Sequence, residues 1–103
     1  MKTETKNQKI AKTILEQLGG NKFIAMTGAK NLGAGENYLS FKVMRNKSKA
    51  THIKITLNCM DTYDMEFIRC RKFEAKTLNI LGSIYAEDLQ RIFTLETGLN
   101  TSL

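Results

Sequence analysis

The sequence predicts an α+β fold, a two-layer sandwich. A four- or five-stranded antiparallel meander sheet carries an N-terminal and a C-terminal helix on one face. Three observations predict it. Residues 38–67 alternate apolar and polar side chains through three successive segments joined by short turns. Two amphipathic stripes at helical spacing flank them, one ending at Gly19 and the other at Gly98. At 103 residues the chain is sized for one domain, 1–103, with a single core.

Taken in order, residues 1–6 are polar and expected to fray. From Asn7 a helix is predicted, with Ile10, Ala11, Ile14, Leu15 and Leu18 on one stripe and Lys9, Lys12, Glu16 and Gln17 opposite. Gly19 and Gly20 end it, because glycine takes positive φ without a Cβ penalty. Lys22 to Thr27 is an apolar run with little alternation, and reads as a first strand buried on both sides. Residues 28–37, with Gly28, Gly33 and Gly35, read as a loop or wide hairpin. Lys30 beside those glycines invites a phosphate-binding reading. The spacing matches neither nucleotide fingerprint, and no helix N-terminus follows.

The meander comes next. Leu39, Phe41 and Val43 face one way against Ser40 and Lys42; Ile53, Ile55 and Leu57 oppose His52, Lys54 and Thr56. Tyr63, Met65 and Phe67 repeat the pattern against Asp64 and Glu66. Lys42 and Lys54 are placed opposite one another on the wet face, offset by Asp64 and Glu66. Between the first two strands, residues 45–50 hold Arg45, Lys47 and Lys49, the densest positive cluster. Such a turn suits phosphate contacts; its plainer reading is a polar turn that discourages edge aggregation. Residues 68–76 extend the sheet and carry a second basic group, Arg69, Arg71 and Lys72. Residues 77–82 read as a loop or short edge strand. Ser83 is the expected cap of a last helix with Glu87 and Asp88 in its first turns. Tyr85, Leu89, Ile92, Phe93 and Leu95 form its apolar stripe, and Gly98 stops it in a Schellman-type cap.

Composition narrows the function classes. With 42% hydrophobic and 25% charged residues the chain is of ordinary globular type. No apolar run reaches a membrane span or a signal peptide, so a cytoplasmic protein is expected. Cys59 and Cys70 are expected as reduced thiols. With His52 the sole histidine, the tight ligand spacing of a zinc site is missing, and no metal or cofactor is expected. Asp61, Asp64 and Glu66 have no nucleophile or metal set beside them, so no enzyme constellation is legible. The net charge of +6 is uneven: residues 1–60 carry eleven Lys or Arg against three Asp or Glu, and residues 61–103 five against seven. That favours an anionic partner, nucleic acid or an acidic protein surface; surface lysines on a soluble protein are the plainer reading. The candidate contact residues are Lys42, Arg45, Lys47, Lys49, Lys54, Arg69, Arg71 and Lys72. Helix, strands, helix is also the order of double-stranded RNA-binding domains, but Glu87 and Asp88 at the second helix have the wrong sign for that docking.

At residues 19–31 (GGNKFIAMTGAKN), 45–67 (RNKSKATHIKITLNCMDTYDMEF) and 84–103 (IYAEDLQRIFTLETGLNTSL) the chain resembles a family of small proteins. These come from phages, plasmids and integrated mobile elements of gut Bacteroidetes and Firmicutes, and one branch is assigned as type II-A anti-CRISPR proteins, inhibitors of Cas9. The resemblance covers nearly everything after the first few residues. It implies a binding protein rather than an enzyme, working in the bacterial cytoplasm on Cas9 or its guide RNA complex. No functional residues carry over. Relatives have an aromatic where Asn100 stands, which detaches the C-terminal tip from the pattern. The basic charge excludes an acidic DNA mimic, so the expected target is an acidic protein patch or the guide RNA. The alternative is a nucleic-acid-binding accessory protein of a mobile element. Oligomeric state stays open, with edge pairing as one route to a dimer.

Overall fold

The computed structural model describes residues 6–35, 37–44 and 46–99. Arg45 and the tip from Asn100 onward, both singled out above, lie outside them, as do the first five residues. The order is α1 (Lys6–Leu18), α2 (Asn21–Thr27), β1 (Lys30–Gly35), β2 (Tyr38–Lys42), β3 (His52–Leu57), β4 (Tyr63–Arg71), β5 (Glu74–Ile84), a 3-10 turn (Ala86–Asp88) and α3 (Leu89–Thr97). The strands form one antiparallel sheet in the order β1-β2-β3-β4-β5, a meander. With α1 and α3 at its two ends this is the expected α+β sandwich.

One face of the sheet is covered and the other is open. Leu39, Phe41, Val43, Ile53, Ile55, Tyr63, Met65 and Phe67 are buried in one cluster with Ile14 and Leu18 of α1, Phe23 of α2, and Leu89 and Phe93 of α3. The alternation of residues 38–67 therefore reads out as written. Three rings tie the layers together. Phe23 meets Phe41 and Phe93 edge-on, with centroids 5.2 Å apart in both pairs, and Phe41 lies parallel to Phe93. Gln90 Nε2 donates to the Leu18 carbonyl at 2.9 Å, fixing α3 against the end of α1.

The glycine pair closes α1 in a Schellman motif. Gly20 N–H reaches the Leu15 carbonyl at 2.9 Å and Gly19 N–H the Glu16 carbonyl at 3.1 Å. The run after it is a correction to the sequence reading: residues 22–27 are helical, not a strand. Phe23 and Thr27, four apart, are its fully buried pair, and Thr27 Oγ1 donates to the Phe23 carbonyl at 2.7 Å. Periodicity in so short an apolar run cannot separate strand from helix; Gly20 before it and Gly28 after it, at φ 66, close a two-turn helix.

A second correction concerns residues 30–35, expected as loop and found as edge strand β1. Gly35 fits there because the Tyr38 ring covers it, where an added Cβ would stand 2.2 Å from a ring atom. A bulge at Asn31 and Leu32, with Asn31 at φ 55, re-aims Lys30 onto Lys42. A third concerns residues 77–82, which belong to the eleven-residue strand β5. Ser83 does not cap a helix: it sits in a bulge of β5 at φ 55, where two residues oppose Asp64. The 3-10 turn and α3 have no side-chain cap. Tyr85 and Leu95 stand 61% exposed rather than on the buried stripe, which runs Leu89, Phe93, Thr97. Gly98 ends α3 at φ 75 through a single bond to the Thr94 carbonyl, the simpler left-handed cap rather than the Schellman form. Lys6 already belongs to α1, which opens one residue before Asn7.

Candidate anion-binding surface

The β2–β3 connection is held by its own side chains. Asn46 is the pin: its Nδ2 donates to the carbonyls of Met44 and Ala50, each at 2.8 Å, and its Oδ1 accepts from Ser48 N–H at 3.0 Å and from the Ser48 hydroxyl. That is an Asx-type turn, the reason asparagine suits the position. Lys49 takes φ 66 to complete the reversal. Lys47 N–H donates to the Thr97 carbonyl at 2.9 Å, so the loop is also anchored to the end of α3. The lysines of this loop are thus carried on a fixed backbone.

The second basic group comes from β4, where it runs past the end of β3. His52 is the last β3 residue in the ladder and pairs with Ile68. Beyond that point β4 and β5 continue alone as a two-stranded ribbon, with pairs Arg69–Lys76, Cys70–Ala75 and Arg71–Glu74. Thr51 fastens its base: Cys70 N–H donates to Thr51 Oγ1 at 2.9 Å, and Thr51 N–H donates to the Ile68 carbonyl at 2.9 Å. Thr51 Oγ1 also lies 2.9 Å from His52 Nδ1.

Loop and ribbon together bound an open hollow of about 740 Å³ lined by Val43, Asn46, Lys47, Lys49, Ala50, Thr51, Arg69 and Arg71. Among the described residues four cations line it and no carboxylate does. Among the described residues none of the four forms an ion pair. Lys47 and Lys49 supply compact charges, and the two guanidiniums supply planar donors that grip phosphate or carboxylate two-pronged. A concave wall of one sign concentrates counter-ions of the other.

The eight predicted contact residues thus divide. Lys47, Lys49, Arg69 and Arg71 converge on the hollow. Lys72 stands next to it, in the β4–β5 turn at φ 48. Lys42 and Lys54 lie apart, on the open sheet face, and they are not opposite each other as expected. Lys42 pairs with Lys30 and His52, and Lys54 with Ser40 and Glu66. The register is set by the nine residues between β2 and β3, which place His52 opposite Lys42 and Lys54 two positions further along, opposite Ser40. Lys54 Nζ lies 4.4 Å from the centre of the Tyr38 ring, a cation–π contact that occupies it structurally. Asp64 is held by Asn58 Nδ2 at 3.2 Å and Ser83 N–H at 3.4 Å.

Sequence reasoning missed Asn46, whose hydrogen bonds hold its own loop, and Thr51, whose partners lie on β4. It also missed Phe73, whose side chain is 102% exposed in the β4–β5 turn. Its signal was there to read: a lone aromatic in RCRKFEAK, where no alternation calls for one.

Cys59 and Cys70 are exposed free thiols. Among the described residues no group of three His, Cys, Asp or Glu is placed to hold a metal ion, and no helix is long and apolar enough to cross a membrane.

Protein-family models, curated proteins and solved structures give no match to this chain. The functional reading rests on the residues themselves and on the resemblance given above.

Proposed function

We infer that this chain is a binding protein, not an enzyme, and that it inhibits a type II CRISPR nuclease, Cas9, by stoichiometric attachment through the cationic end. The observation that carries the contact surface is the convergence of Lys47, Lys49, Arg69 and Arg71 on one hollow, with no carboxylate among the described residues that line it. The nuclease comes from the resemblance to mobile-element proteins at residues 19–31, 45–67 and 84–103. Taken together they favour attachment to an anionic part of the guide-loaded complex in the bacterial cytoplasm. Mimicry of DNA would need the opposite sign, since the surfaces that read duplex and heteroduplex are themselves basic.

A second reading is supported by the ribbon. Arg69, Arg71, Lys72 and Lys76 beside a bare aromatic suit nucleic acid directly, as in an accessory protein of a mobile element. One set of assays separates the two. Target cleavage by the guide-loaded nuclease is measured against increasing protein, with the wild type and with Lys47, Lys49, Arg69 and Arg71 all changed to Glu. The first reading expects cleavage to stop near equimolar protein and to resume with the variant. Cleavage that persists in excess wild type rejects the nuclease as target. Complexes pulled down on apo and guide-loaded nuclease should weaken with salt; binding indifferent to salt counts against the cationic end.

A further inference from the structure

From Cys70 to Ile80 every residue is exposed, on both faces of the ribbon. Among the described residues none buries a side chain of this stretch, so its side chains were not chosen for burial. At its turn stand Lys72 and Phe73, with Phe73 fully in solvent. A phenylalanine there removes nothing apolar from water and adds an exposed ring to the charged tip of an arm that carries Leu78 and Ile80 further along. Arg71, Lys72, Phe73 and Glu74 outline a second shallow recess, sharing Arg71 with the cationic hollow. The recess of Phe73 thus adjoins the four-cation hollow through Arg71, with Glu74 in its wall.

This combination is the working pair of single-strand recognition: cations that track a phosphate backbone and a ring on which an unpaired base stacks. We propose that this end binds single-stranded nucleic acid, with phosphates in the hollow of Lys47, Lys49, Arg69 and Arg71 and one base against Phe73. The inference rests on the reading of the cationic end as a contact surface and names its ligand. A duplex fits less well, because its bases already stack on one another and the ring would have to wedge them apart. An acidic peptide would use the cations and leave the ring idle. An anionic membrane would need a broad apolar face, and Phe73, flanked by Lys72 and Glu74, is separated in sequence from the exposed Leu78 and Ile80.

The test uses the full chain without nuclease. Fluorescence anisotropy follows labelled mixed-sequence strands of about 12 nucleotides, RNA and DNA, within the site sizes of such surfaces. The DNA duplex, an oligo-glutamate peptide and anionic phosphatidylserine vesicles serve as rival probes. The strand should bind at least about tenfold tighter than each rival, with a log–log salt slope near −3 for about four displaced counter-ions. Phe73→Leu should weaken strand binding about 5- to 100-fold, and Phe73→Trp should restore it. Arg69→Gln with Arg71→Gln should weaken binding and flatten the salt slope. Phe73 and Arg71 are exposed and Arg69 is half-buried, and circular dichroism checks that each variant folds. Wild-type affinity in Phe73→Leu, or any rival probe bound as tightly as the strand, overturns the proposal. Should the hollow variant abolish nuclease inhibition while no strand binds the wild type, the ligand assigned here is wrong and the contact surface stands. Phe73-dependent strand binding without nuclease inhibition upholds the ligand and removes the nuclease.

Discussion

Two stretches of one sheet obey different rules. From β2 to the first half of β4, one face is roofed by helices, and Phe41, Ile53, Ile55, Met65 and Phe67 are all but fully buried. From Cys70 through most of β5, neither face is roofed. The same backbone ladder runs through both. In the first stretch each apolar side chain is held by the free energy of leaving water. In the second, the ladder and the Thr51 bridge hold the ribbon, and its side chains are free to serve something outside the molecule. The contrast teaches where to look for function in a small protein: where regular structure persists after its reason for burial has ended.

The comparison can be broken or sharpened by substitution. The largest effect is expected from Phe41→Ala, which removes the sheet's ring from the three-ring cluster and should cost about 3–5 kcal/mol in urea denaturation. Thr51→Val keeps the shape but deletes the hydroxyl that holds Cys70 N–H; about 1 kcal/mol is expected, with added exchange at the base of the ribbon by amide hydrogen exchange. Gly98→Ala forces a Cβ onto φ 75 while finding only ordinary contact with Lys47, so its cost of about 1 kcal/mol is conformational. Phe73→Ala, the counterpart of Phe41→Ala in the unroofed stretch, should change stability by no more than about 0.5 kcal/mol. Two phenylalanines with comparable costs would erase the distinction between the stretches.

A smaller effect is tied to pH. Burial pushes the Tyr63 phenol above its ordinary value, with Asp61 adding to the rise and a hydrogen bond from Gln17 opposing it. A phenol raised on folding contributes stability that is complete below the unfolded value of about 10, and that is lost as pH rises through the folded value. Denaturation midpoints above pH 10 should therefore fall further in the wild type than in Tyr63→Phe, with lysine titration common to both.

How much was legible follows from the same contrast. The alternation of residues 38–67 gave three strands and their inward side chains, because a half-buried sheet writes itself into sequence at period two. The stripe of α1 and its glycine stop were equally plain. Residues 22–27 were misread because Phe23 and Thr27 reveal a helix only once Phe41 and Phe93 are known to meet Phe23. The bulged edge strands β1 and β5 were misread because glycine, asparagine and shifted register hide the period. At the candidate site, the charges were visible but their convergence was not. Arg69 and Arg71 are more than twenty residues from Lys47, and only the pairing of β3 with β4 brings them beside the loop. The same pairing separates Lys42 and Lys54 from the group.

If the hollow is the molecule's anion-gripping surface, a small polyanion must find it. The most direct test is a titration of backbone amide chemical shifts with inorganic pyrophosphate, a probe indifferent to any particular partner. The account predicts that amides of residues 46–51 and 69–72 move together and saturate with one dissociation constant, while the exposed lysines of α1 and the open sheet face stay still. Shifts spread evenly over all lysine-bearing segments without saturation would contradict it.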